Sequence, residues 1–143
     1  MNVGSICSRR PVTVSTAAAL AEVARLMRDE HVGAVIVTQG PEHRRVAGII
    51  TDRDIVRAQL ERTADLSRLS AGETMTANPL VIAADEPLEG AISHLRARGV
   101  RRAPVVAADG SLAGVVSADD LLAQLATQLI GVAGIVALQA RRE

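Results

Sequence analysis

Two short segments of this chain place a hydroxyl residue three positions before an aspartate. Residues 48–54 read GIITDRD, and residues 114–120 read GVVSADD. In each segment the β-branched pair predicts the end of a strand, and the hydroxyl residue predicts the start of a helix. In the first copy, this junction brings the Thr51 hydroxyl, free backbone N–H groups and the Asp54 carboxylate side by side. These groups could hold a polar ligand, and the chain carries the set twice.

The same spacing also has a purely structural interpretation. A hydroxyl residue at the N-cap of a helix and an acidic residue three positions later form a capping box, which satisfies free N–H groups. Thr51 with Asp54, and Ser117 with Asp120, fit that pattern. The pattern recurs after the same glycine and the same strand, inside a longer repeat. This recurrence favours a ligand-binding role, although the residues alone leave both interpretations open.

The two segments belong to a long internal repeat. A shift of 68 residues aligns the first part of the chain with the second, and a shift of 66 continues the alignment after a shorter turn. The aligned pairs include Gly4 and Gly72, Pro11 and Pro79, Leu20 and Leu88, Val32 and Val100, and Gly48 and Gly114. A register held over this length indicates a tandem duplication. We assign residues 1–61 to the first half, 62–70 to a linker, 71–126 to the second half and 127–143 to a C-terminal helical extension.

Both halves show the same order of predicted elements, β-α-β-β-α. In the first half these are a strand over 11–14, a helix capped by Ser15 or Thr16 that runs to about 30, strands over 34–38 and 46–50, and a helix over 52–61. In the second half they are a strand over 80–82, a helix that starts at Asp85 to Pro87 and continues to about 98, a hairpin over 104–116, and a final helix from about 118. The predicted fold class is therefore α+β, with two tandem halves and an extended C-terminal helix.

The composition argues against several classes of function. Of the 143 residues, 48% are hydrophobic and none is Phe, Trp or Tyr, so we expect an aliphatic core and no stacking platform for single-stranded nucleic acid. The formal net charge is zero, which gives no electrostatic drive toward nucleic acid or an anionic membrane. The single cysteine cannot form an internal disulfide, and residues 1–11 contain no apolar signal segment. A cytoplasmic location is therefore expected.

The sequence predicts neither catalysis nor a metal site. His31, His43 and His94 share no ligand-type spacing. Cys7 aligns in the repeat with Met75, which indicates a small apolar side chain of the core. The chain also shows no paired carboxylates, no Ser-His-Asp arrangement and no glycine-rich phosphate loop followed by lysine. We therefore expect a protein that is not an enzyme.

The C-terminal stretch allows two interpretations. Residues 121–140 carry no charge and are followed by two arginines, so their length would permit a membrane span. The stretch also contains four polar residues, and its apolar positions fit one helical stripe, namely Leu121, Leu122, Leu125, Leu129, Val132 and Val136. The stripe favours a helix that is buried against a dimer mate or another protein over a role in a membrane.

The order of these motifs resembles the cystathionine β-synthase (CBS) domain pair. Each half ends in Gly, two apolar residues, Thr or Ser, two variable residues and Asp. Two further features support the resemblance, Met75-Thr76-x-x-Pro79 at the start of the second half and Val100-x-x-x-Pro104-Val105-Val106 before its hairpin. The resemblance covers Val3 to about Leu125. It implies a pseudo-twofold axis between the halves, a disc-shaped dimer of two such pairs, and clefts that bind AMP, ADP, ATP, S-adenosylmethionine or NAD.

The resemblance also implies roles for individual residues. Asp54 and Asp120 would accept hydrogen bonds from the two ribose hydroxyls of a nucleotide, and Thr51 and Ser117 would contact its phosphate at the helix N-termini. Adenine would lie against the first strand of each half and the segment before the hairpin, at Val12, Thr13, Leu80, Val81, Ala34 and Pro104. Arginines near the clefts, namely Arg53, Arg101 and Arg102, favour a phosphate-bearing ligand over the cationic sulfonium of S-adenosylmethionine.

The two clefts are expected to differ from each other. Ile36 stands where the second half has Pro104, and the pair Arg101-Arg102 replaces Gly33-Ala34. Only the first of the two motifs contains a basic residue. The sequence therefore leaves open whether one cleft or both are occupied.

We expect a stand-alone, homodimeric regulatory or sensor module that binds an adenine nucleotide and conveys its occupancy to a separate protein. Three alternatives stay open. A structural dimerisation module would lose only helix-cap stability on mutation of Asp54 and Asp120. A nucleic-acid binder would bind oligonucleotides in a salt-dependent way, and an enzyme would turn over a bound nucleotide.

Overall fold

The structure is a computed structural model, and it describes residues 1–62 and 65–141, without the side chain of His43. Seven strands and five α-helices occur in these ranges. The strands are β1 (Thr13–Ser15), β2 (Ala34–Gln39), β3 (Arg45–Thr51), β4 (Thr76–Ala77), β5 (Ile82–Ala83), β6 (Arg102–Val106) and β7 (Leu112–Ser117). The helices are α1 (Leu20–Glu30), α2 (Asp52–Arg62), α3 (Ala71–Thr74), α4 (Leu88–Arg98) and α5 (Ala118–Ala140). Short 3₁₀ turns cover Val3–Ser5, Pro41–His43 and Leu66–Arg68.

The strands form one sheet in each half. The strand order is β1-β2-β3-β4 in the first sheet and β5-β6-β7 in the second. β1 and β5 each pair in parallel with the next strand of the chain, whereas β2–β3 and β6–β7 are antiparallel hairpins. Both hairpins shift register at the same point of the repeat, after Val37 and after Val105. The predicted α+β fold with two tandem halves is confirmed.

The opening segment of each repeat pairs with the sheet of the other half. β4, which opens the second repeat, pairs with β3 of the first, so that Ala77 lies opposite Gly48. The start of the chain pairs with β7 in the same way, because the backbone groups of Ser8 and Val115 donate to each other at 2.9 and 3.0 Å. Each sheet is therefore completed by residues of the other repeat.

The same exchange connects the two hydrophobic cores. Val3, from the first repeat, is fully buried in the core of the second half, and Ala71, from the second repeat, is fully buried in the core of the first. The other core residues are aliphatic: Leu20, Val23, Met27, Val35, Val37, Ile50, Ala58 and Leu69 in the first half, and Ile82, Leu88, Ala91, Leu95, Ala103, Val105, Val116 and Leu121 in the second. Burial of these side chains provides the main driving force for folding.

The first helix of each half begins later than the sequence predicts. α1 begins at Leu20 rather than directly after Ser15 or Thr16, and α4 begins at Leu88. The amide of Leu20 donates to the carbonyl of Leu69 at 2.8 Å. The predicted hydroxyl caps are wrong because a contact with a distant part of the chain, rather than a local side chain, satisfies this first amide.

The segment that we predicted as a linker, residues 62–70, packs against the first half. Residues 63–64 lie outside the described ranges, and Leu66–Arg68 form a 3₁₀ turn. Leu69 is buried in the first core. Among residues 65–70 only Leu69 is buried, and such a short turn explains why the sequence shows no apolar period here.

The last helix is much longer than its counterpart in the first half. α5 has 23 residues and α2 has 11. The first turn of α5 belongs to the second half, because Leu121 is buried there. At roughly 1.5 Å per residue the whole helix is about 34 Å long. The predicted long final helix is confirmed, and residues 142–143 of the predicted extension lie outside the described ranges.

Candidate functional site

The two hydroxyl–aspartate motifs form the same hydrogen-bonded junction between a strand and a helix. In the first, the backbone amide and the hydroxyl of Thr51 donate to Oδ2 of Asp54 at 2.8 and 3.0 Å. The Asp54 amide donates back to the Thr51 hydroxyl oxygen at 3.3 Å. In the second, Ser117 and Asp120 repeat these contacts at 2.8, 2.7 and 3.2 Å. Both motifs therefore have the geometry of a capping box, as the structural interpretation predicts.

Capping leaves one oxygen of each carboxylate available. The capping bonds that the two carboxylates accept all reach Oδ2, and no donor within residues 1–62 and 65–141 reaches Oδ1 of either residue. Both side chains are half-buried. Because an ionised carboxylate accepts through both oxygens, each aspartate can cap its helix and accept from a ligand hydroxyl at the same time.

The first amides of α2 already have partners, which corrects the expectation of free N–H groups at this junction. The Asp52 amide donates to the Gly33 carbonyl at 3.0 Å. The Arg53 amide donates to Oδ1 of Asp52 at 2.8 Å, and the Asp54 amide is held by Thr51 as described. An anion at this helix start would have to displace one of these bonds. Nearby arginine side chains are therefore better placed than the backbone to bind an anion.

Gly48 and Gly114 precede the motifs because another segment crosses over them. A Cβ added at Gly48 would lie 2.7 Å from the carbonyl oxygen of Thr76, and one added at Gly114 would lie 2.9 Å from Sγ of Cys7. Both distances are too short for ordinary contact between these atoms. The glycines let the opening segment of the other repeat pass over β3 and β7.

A cleft of about 620 Å³ lies beside the first motif and is walled by both halves. The first half contributes Gly33, Ile49, Thr51, Asp52, Arg53 and Asp54, and the second half contributes Thr76, Ala77, Asn78, Pro79, Leu80, Arg98, Gly99, Val100, Arg101, Arg102 and Pro104. We call this space the Asp54 cleft. Its volume falls within the range of roughly 300–1,000 Å³ that is typical of small-molecule sites.

The Asp54 cleft combines an aliphatic wall with a few polar groups. Ile49, Leu80, Val100 and Pro104 provide apolar surface. Asn78 is one of its polar lining residues and adopts a left-handed backbone conformation with φ of 48°, which Asn tolerates better than most residues. Such a lining suits a small molecule that has an apolar part and a few polar groups.

Positive charge exceeds negative charge in the Asp54 cleft. Four arginines line it, Arg53, Arg98, Arg101 and Arg102, against two aspartates. Arg101 also forms an exposed ion pair with Asp119, with 3.3 Å between Nη2 and Oδ1. Such an exposed pair is weak and leaves the guanidinium able to change partners. The excess of arginine therefore favours a ligand that carries phosphate or carboxylate groups.

The second motif has no comparable set of arginines around it. In the repeat, the positions of Arg53, Arg98, Arg101 and Arg102 are taken by Asp119, Glu30, Gly33 and Ala34. Arg9 and Arg10 stand at the positions that Ala77 and Asn78 take in the second half. Two acidic and two uncharged residues thus replace the four arginines, and the surroundings of the two motifs differ in charge.

The structure brings only part of the predicted site residues together. Thr51, Asp54, Arg53, Leu80, Arg101, Arg102 and Pro104 line the Asp54 cleft, whereas Ser117, Asp120, Val12, Thr13, Ala34 and Val81 do not. Val12, Thr13 and Ala34 occupy the positions in the repeat that Leu80, Val81 and Arg102 occupy in the second half. They therefore correspond to the wall that would face Ser117 and Asp120. Val81 itself is exposed outside the Asp54 cleft.

Two segments of the wall were missed by sequence reasoning. One is the end of α4, where Arg98 and Val100 flank Gly99, whose φ of 63° ends the helix. The other is residues 76–79, which reach the first half through β4. The sequence RARGVRR at 96–102 concentrates arginine before a predicted strand and could have indicated the first segment. No local sequence pattern indicates that β4 pairs with the sheet of the first half.

Cys7 and the histidines do not form a site in the described part of the chain. No group of three or more His, Cys, Asp or Glu residues that could hold a metal ion occurs among the residues searched there. Cys7 packs against the core of the second half, and burial raises the pKa of its thiol. A raised pKa keeps the thiol protonated and poorly nucleophilic at neutral pH, in agreement with an apolar role.

The fold and the cleft together define the class of protein. The sequence profile of the CBS domain matches residues 3–61 and 71–127. The chain therefore belongs to the CBS domain family and carries two copies of the domain, so that the resemblance seen in the motifs is confirmed. A protein of uncharacterised function from Methanopyrus kandleri is 28% identical over 122 residues. The match covers 85% of this chain and 61% of that protein, so this chain spans less than two thirds of the relative's length.

Solved structures share this fold. A CBS domain protein from Pyrobaculum aerophilum, solved in complex with AMP, is 27% identical and has a TM-score of 0.77, covering 89% of this chain and 99% of that chain. The hexameric CBS-CP12 protein of bloom-forming cyanobacteria is 25% identical with a TM-score of 0.73, covering 85% of this chain and 66% of that chain. The fold is thus found both in a nucleotide complex and in an oligomer.

Proposed function

We propose that this CBS domain pair is a regulatory module, rather than an enzyme, that binds an adenosine nucleotide (AMP, ADP or ATP) in the Asp54 cleft. One observation carries the proposal: a carboxylate oxygen of Asp54 that no donor of the described residues reaches lies in an arginine-rich cleft of suitable volume between the two halves. The AMP complex of the Pyrobaculum aerophilum relative supports the ligand class.

Each part of a nucleotide has a chemical partner in this cleft. Oδ1 of Asp54 would accept from the vicinal ribose hydroxyls, while Oδ2 keeps its bonds to Thr51. The adenine ring would lie on the aliphatic wall near Leu80 and Pro104, and the phosphate groups would lie among the four arginines. The chain thus offers an acceptor, an apolar surface and cations in one place.

The charges of the cleft discriminate among adenosine-containing ligands. S-adenosylmethionine carries a positive sulfonium and NAD carries a positive nicotinamide ring, and the arginines of the cleft would repel both charges. We therefore propose that S-adenosylmethionine and NAD bind more weakly than AMP, ADP and ATP. Near Ser117 and Asp120 the arginines are replaced by acidic or uncharged residues, so we propose that phosphate-bearing ligands bind more weakly there.

Regulation would follow from the position of the ligand between the halves. A nucleotide that contacts both halves would favour one relative arrangement by its higher affinity for that arrangement. In this proposal the two halves are residues 1–61 and 71–126, and residues 62–70 join them. The shift in their relative arrangement is conveyed to a separate protein of the cytoplasm. Exposed Val56 and Leu60 on α2 provide apolar surface for a homodimer.

Equilibrium dialysis of the full chain against AMP, ADP and ATP tests the proposal. Because the chain has no Phe, Trp or Tyr, ultraviolet absorbance reports the nucleotide with little contribution from the protein. Asp54→Asn is the variant that best separates ligand binding from helix capping. Its amide oxygen can still accept from Thr51 and keep the cap, whereas its NH₂ group replaces the oxygen that would accept from ribose. Asp120→Asn is the matched control.

We expect the wild type and Asp120→Asn to bind nucleotide, and Asp54→Asn to bind about tenfold more weakly, which is a loss of about 1.4 kcal/mol. Equal affinity in all three proteins would remove Asp54 from the ribose site. A wild type that binds none of the three nucleotides would overturn the proposed function.

A structural dimerisation module is the second candidate. It is favoured by the observation that both capping boxes are complete without a ligand. This candidate predicts that Asp54→Ala and Asp120→Ala each lower the free energy of unfolding by about 1 kcal/mol through the lost cap. It also predicts that dialysis detects no nucleotide with either the wild type or the variants.

A further inference from the structure

Arg101 contacts both the Asp54 cleft and the start of α5. Its side chain lines the cleft, and its Nη2 donates to Oδ1 of Asp119 at 3.3 Å. Its backbone carbonyl accepts from the amide of Ala118, the first residue of α5, at 2.7 Å. One residue therefore reaches the proposed nucleotide site with its side chain and holds the first turn of the last helix with its main chain.

The main-chain part of this contact occurs in both halves, but the ion pair occurs only in the second. In the first half, Gly33 takes the position of Arg101, and its carbonyl accepts from the Asp52 amide at 3.0 Å. Glycine has no side chain to form an ion pair, and Arg53 takes the position of Asp119. The start of α2 shows that the fold begins such a helix without the ion pair. The pair between Arg101 and Asp119 is therefore available for another role.

Phosphate can displace Asp119 from Arg101. Of the four arginines that line the cleft, Arg101 is the one that forms an ion pair with a carboxylate within residues 1–62 and 65–141. The two side chains of this pair are 77% and 76% exposed, so the pair is held weakly. A phosphate monoester carries about 1.5 to 2 negative charges at neutral pH, against one on a carboxylate. A phosphate group in the cleft therefore competes effectively for the guanidinium.

The charge of Asp119 determines the direction of its effect on the cleft. Because both side chains of the pair are exposed, Asp119 contributes little to holding Arg101 in one geometry. Its carboxylate lies beside a cation of the cleft, so it lowers the positive potential that an approaching phosphate meets. The pair must also break before Arg101 can bind phosphate fully. Both effects weaken the binding of a phosphate-bearing ligand.

We propose that Asp119 regulates phosphate binding in the Asp54 cleft by competing with the ligand for Arg101. A phosphate group that binds Arg101 releases Asp119, so occupancy of the cleft is sensed at the first turn of α5, beside Ser117 and Asp120. This inference rests on the proposed nucleotide function and adds a means of regulation to it. Because such coupling is reciprocal, any contact that draws Asp119 away from Arg101 raises the affinity of the cleft for phosphate. Adenosine, which has no phosphate, leaves the pair intact.

Titration calorimetry of the wild type and Asp119→Asn with ATP and with adenosine tests the proposal. We expect Asp119→Asn to bind ATP about threefold more tightly at low salt, and to bind adenosine with unchanged affinity. Glu89→Gln is the matched control, because Glu89 is also the second residue of its helix, is exposed and does not line the cleft. It should leave the affinity for ATP nearly unchanged. Equal gains in both variants, or a gain for adenosine as well, would overturn the proposal.

A double-mutant cycle tests whether Asp119 acts through Arg101. Arg101→Gln alone should weaken ATP binding, because a cation of the cleft is lost. Asp119→Asn added to Arg101→Gln should then change the affinity for ATP little, since no guanidinium remains to compete for. If Asp119→Asn gave the same threefold gain with and without Arg101, its charge would act on the ligand directly, and the proposed competition would be wrong.

Nuclear magnetic resonance of the side-chain carboxyl carbons observes the release of Asp119 directly. The Asp119 signal is identified by its loss in Asp119→Asn. We expect it to shift when ATP is added to the wild type and to stay in place when adenosine is added. A wild type that binds ATP while this signal does not move would overturn the role of Asp119 and leave the proposed function standing. A wild type that binds no nucleotide would overturn both.

Discussion

The two oxygens of the Asp54 carboxylate differ in their hydrogen bonds. Oδ2 accepts from the amide and hydroxyl of Thr51 and so caps α2, while Oδ1 faces no donor of the described chain. Capping and ligand binding, which the motif alone presents as alternatives, are therefore compatible in one side chain. A change to alanine would remove both tasks together, and a change to asparagine separates them. The same argument applies to Asp120.

Arg98 offers the most direct test of charge in the Asp54 cleft. Glu30 takes its position in the other half, so Arg98→Glu makes this cleft resemble its counterpart. We expect the affinity for ATP to fall by about tenfold, because a cation near phosphate is replaced by an anion at an effective dielectric constant of about 20. The affinity for adenosine, which has no phosphate, should change little. Titration calorimetry at low and high salt measures both, and the loss should shrink at high salt.

Arg96→Glu is the matched control for this variant. Arg96 lies in the same last turn of α4, is exposed and does not line the cleft. It should leave the affinity for ATP nearly unchanged. If Arg96→Glu and Arg98→Glu weakened ATP binding equally, the effect would come from the net charge of the protein. The position of Arg98 in the cleft would then not explain it.

At the scale of the elements, the crossing of β4 over β3 makes Gly48 a sensitive position. A Cβ there would lie 2.7 Å from the Thr76 carbonyl oxygen, and Ala77 is fixed opposite Gly48 by strand pairing. We expect Gly48→Ala to lower the free energy of unfolding by about 1–3 kcal/mol through overpacking. Because residues 76–79 line the Asp54 cleft, nucleotide binding should also weaken. Urea unfolding followed by circular dichroism measures the first effect, and dialysis measures the second.

Gly131→Ala is the control for Gly48→Ala. An added Cβ at Gly131 meets nothing within 4 Å, and the residue lies inside a helix. The replacement should be neutral or should stabilise the helix by up to about 1 kcal/mol. A Gly48→Ala protein that is as stable as the wild type would show that β4 does not pass as close to β3 as the structure places it.

The crossing segments also mark the limit of what the sequence could predict. The strands of the two hairpins, α2 and the tandem repeat follow from local patterns: β-branched runs, the capping motif and a constant register. The start of α1 does not, because the amide of Leu20 finds its partner in the carbonyl of Leu69. Likewise Thr51 and Asp54 were identified by their spacing, but residues 76–79 join the cleft only through the two-residue strand β4. Such a short pairing leaves no periodic signal in the sequence.

At the scale of the whole molecule, the Asp54 cleft is the place where a ligand would contact both halves. Thr51 and Asp54 come from the first half, whereas Leu80 and the α4 end come from the second. The exchanged opening segments already connect the two cores. A nucleotide bound in the cleft would therefore add to an existing connection and would stabilise both halves as one unit, which is the physical basis of the regulatory role that we propose.

Hydrogen–deuterium exchange with and without nucleotide tests this coupling. At a free AMP concentration of about 100 times Kd, binding to the folded state alone stabilises it by about 2.7 kcal/mol. Amides of β3 and α2 in the first half and of α4 and β6 in the second should then exchange more slowly together. Asp54→Asn, with a Kd about tenfold higher, should keep only about 1.4 kcal/mol of this stabilisation at the same AMP concentration, whereas Asp120→Asn should keep all of it. Protection confined to the first half would mean that the nucleotide does not bridge the halves, and the regulatory mechanism would then lack its structural basis even if the nucleotide binds.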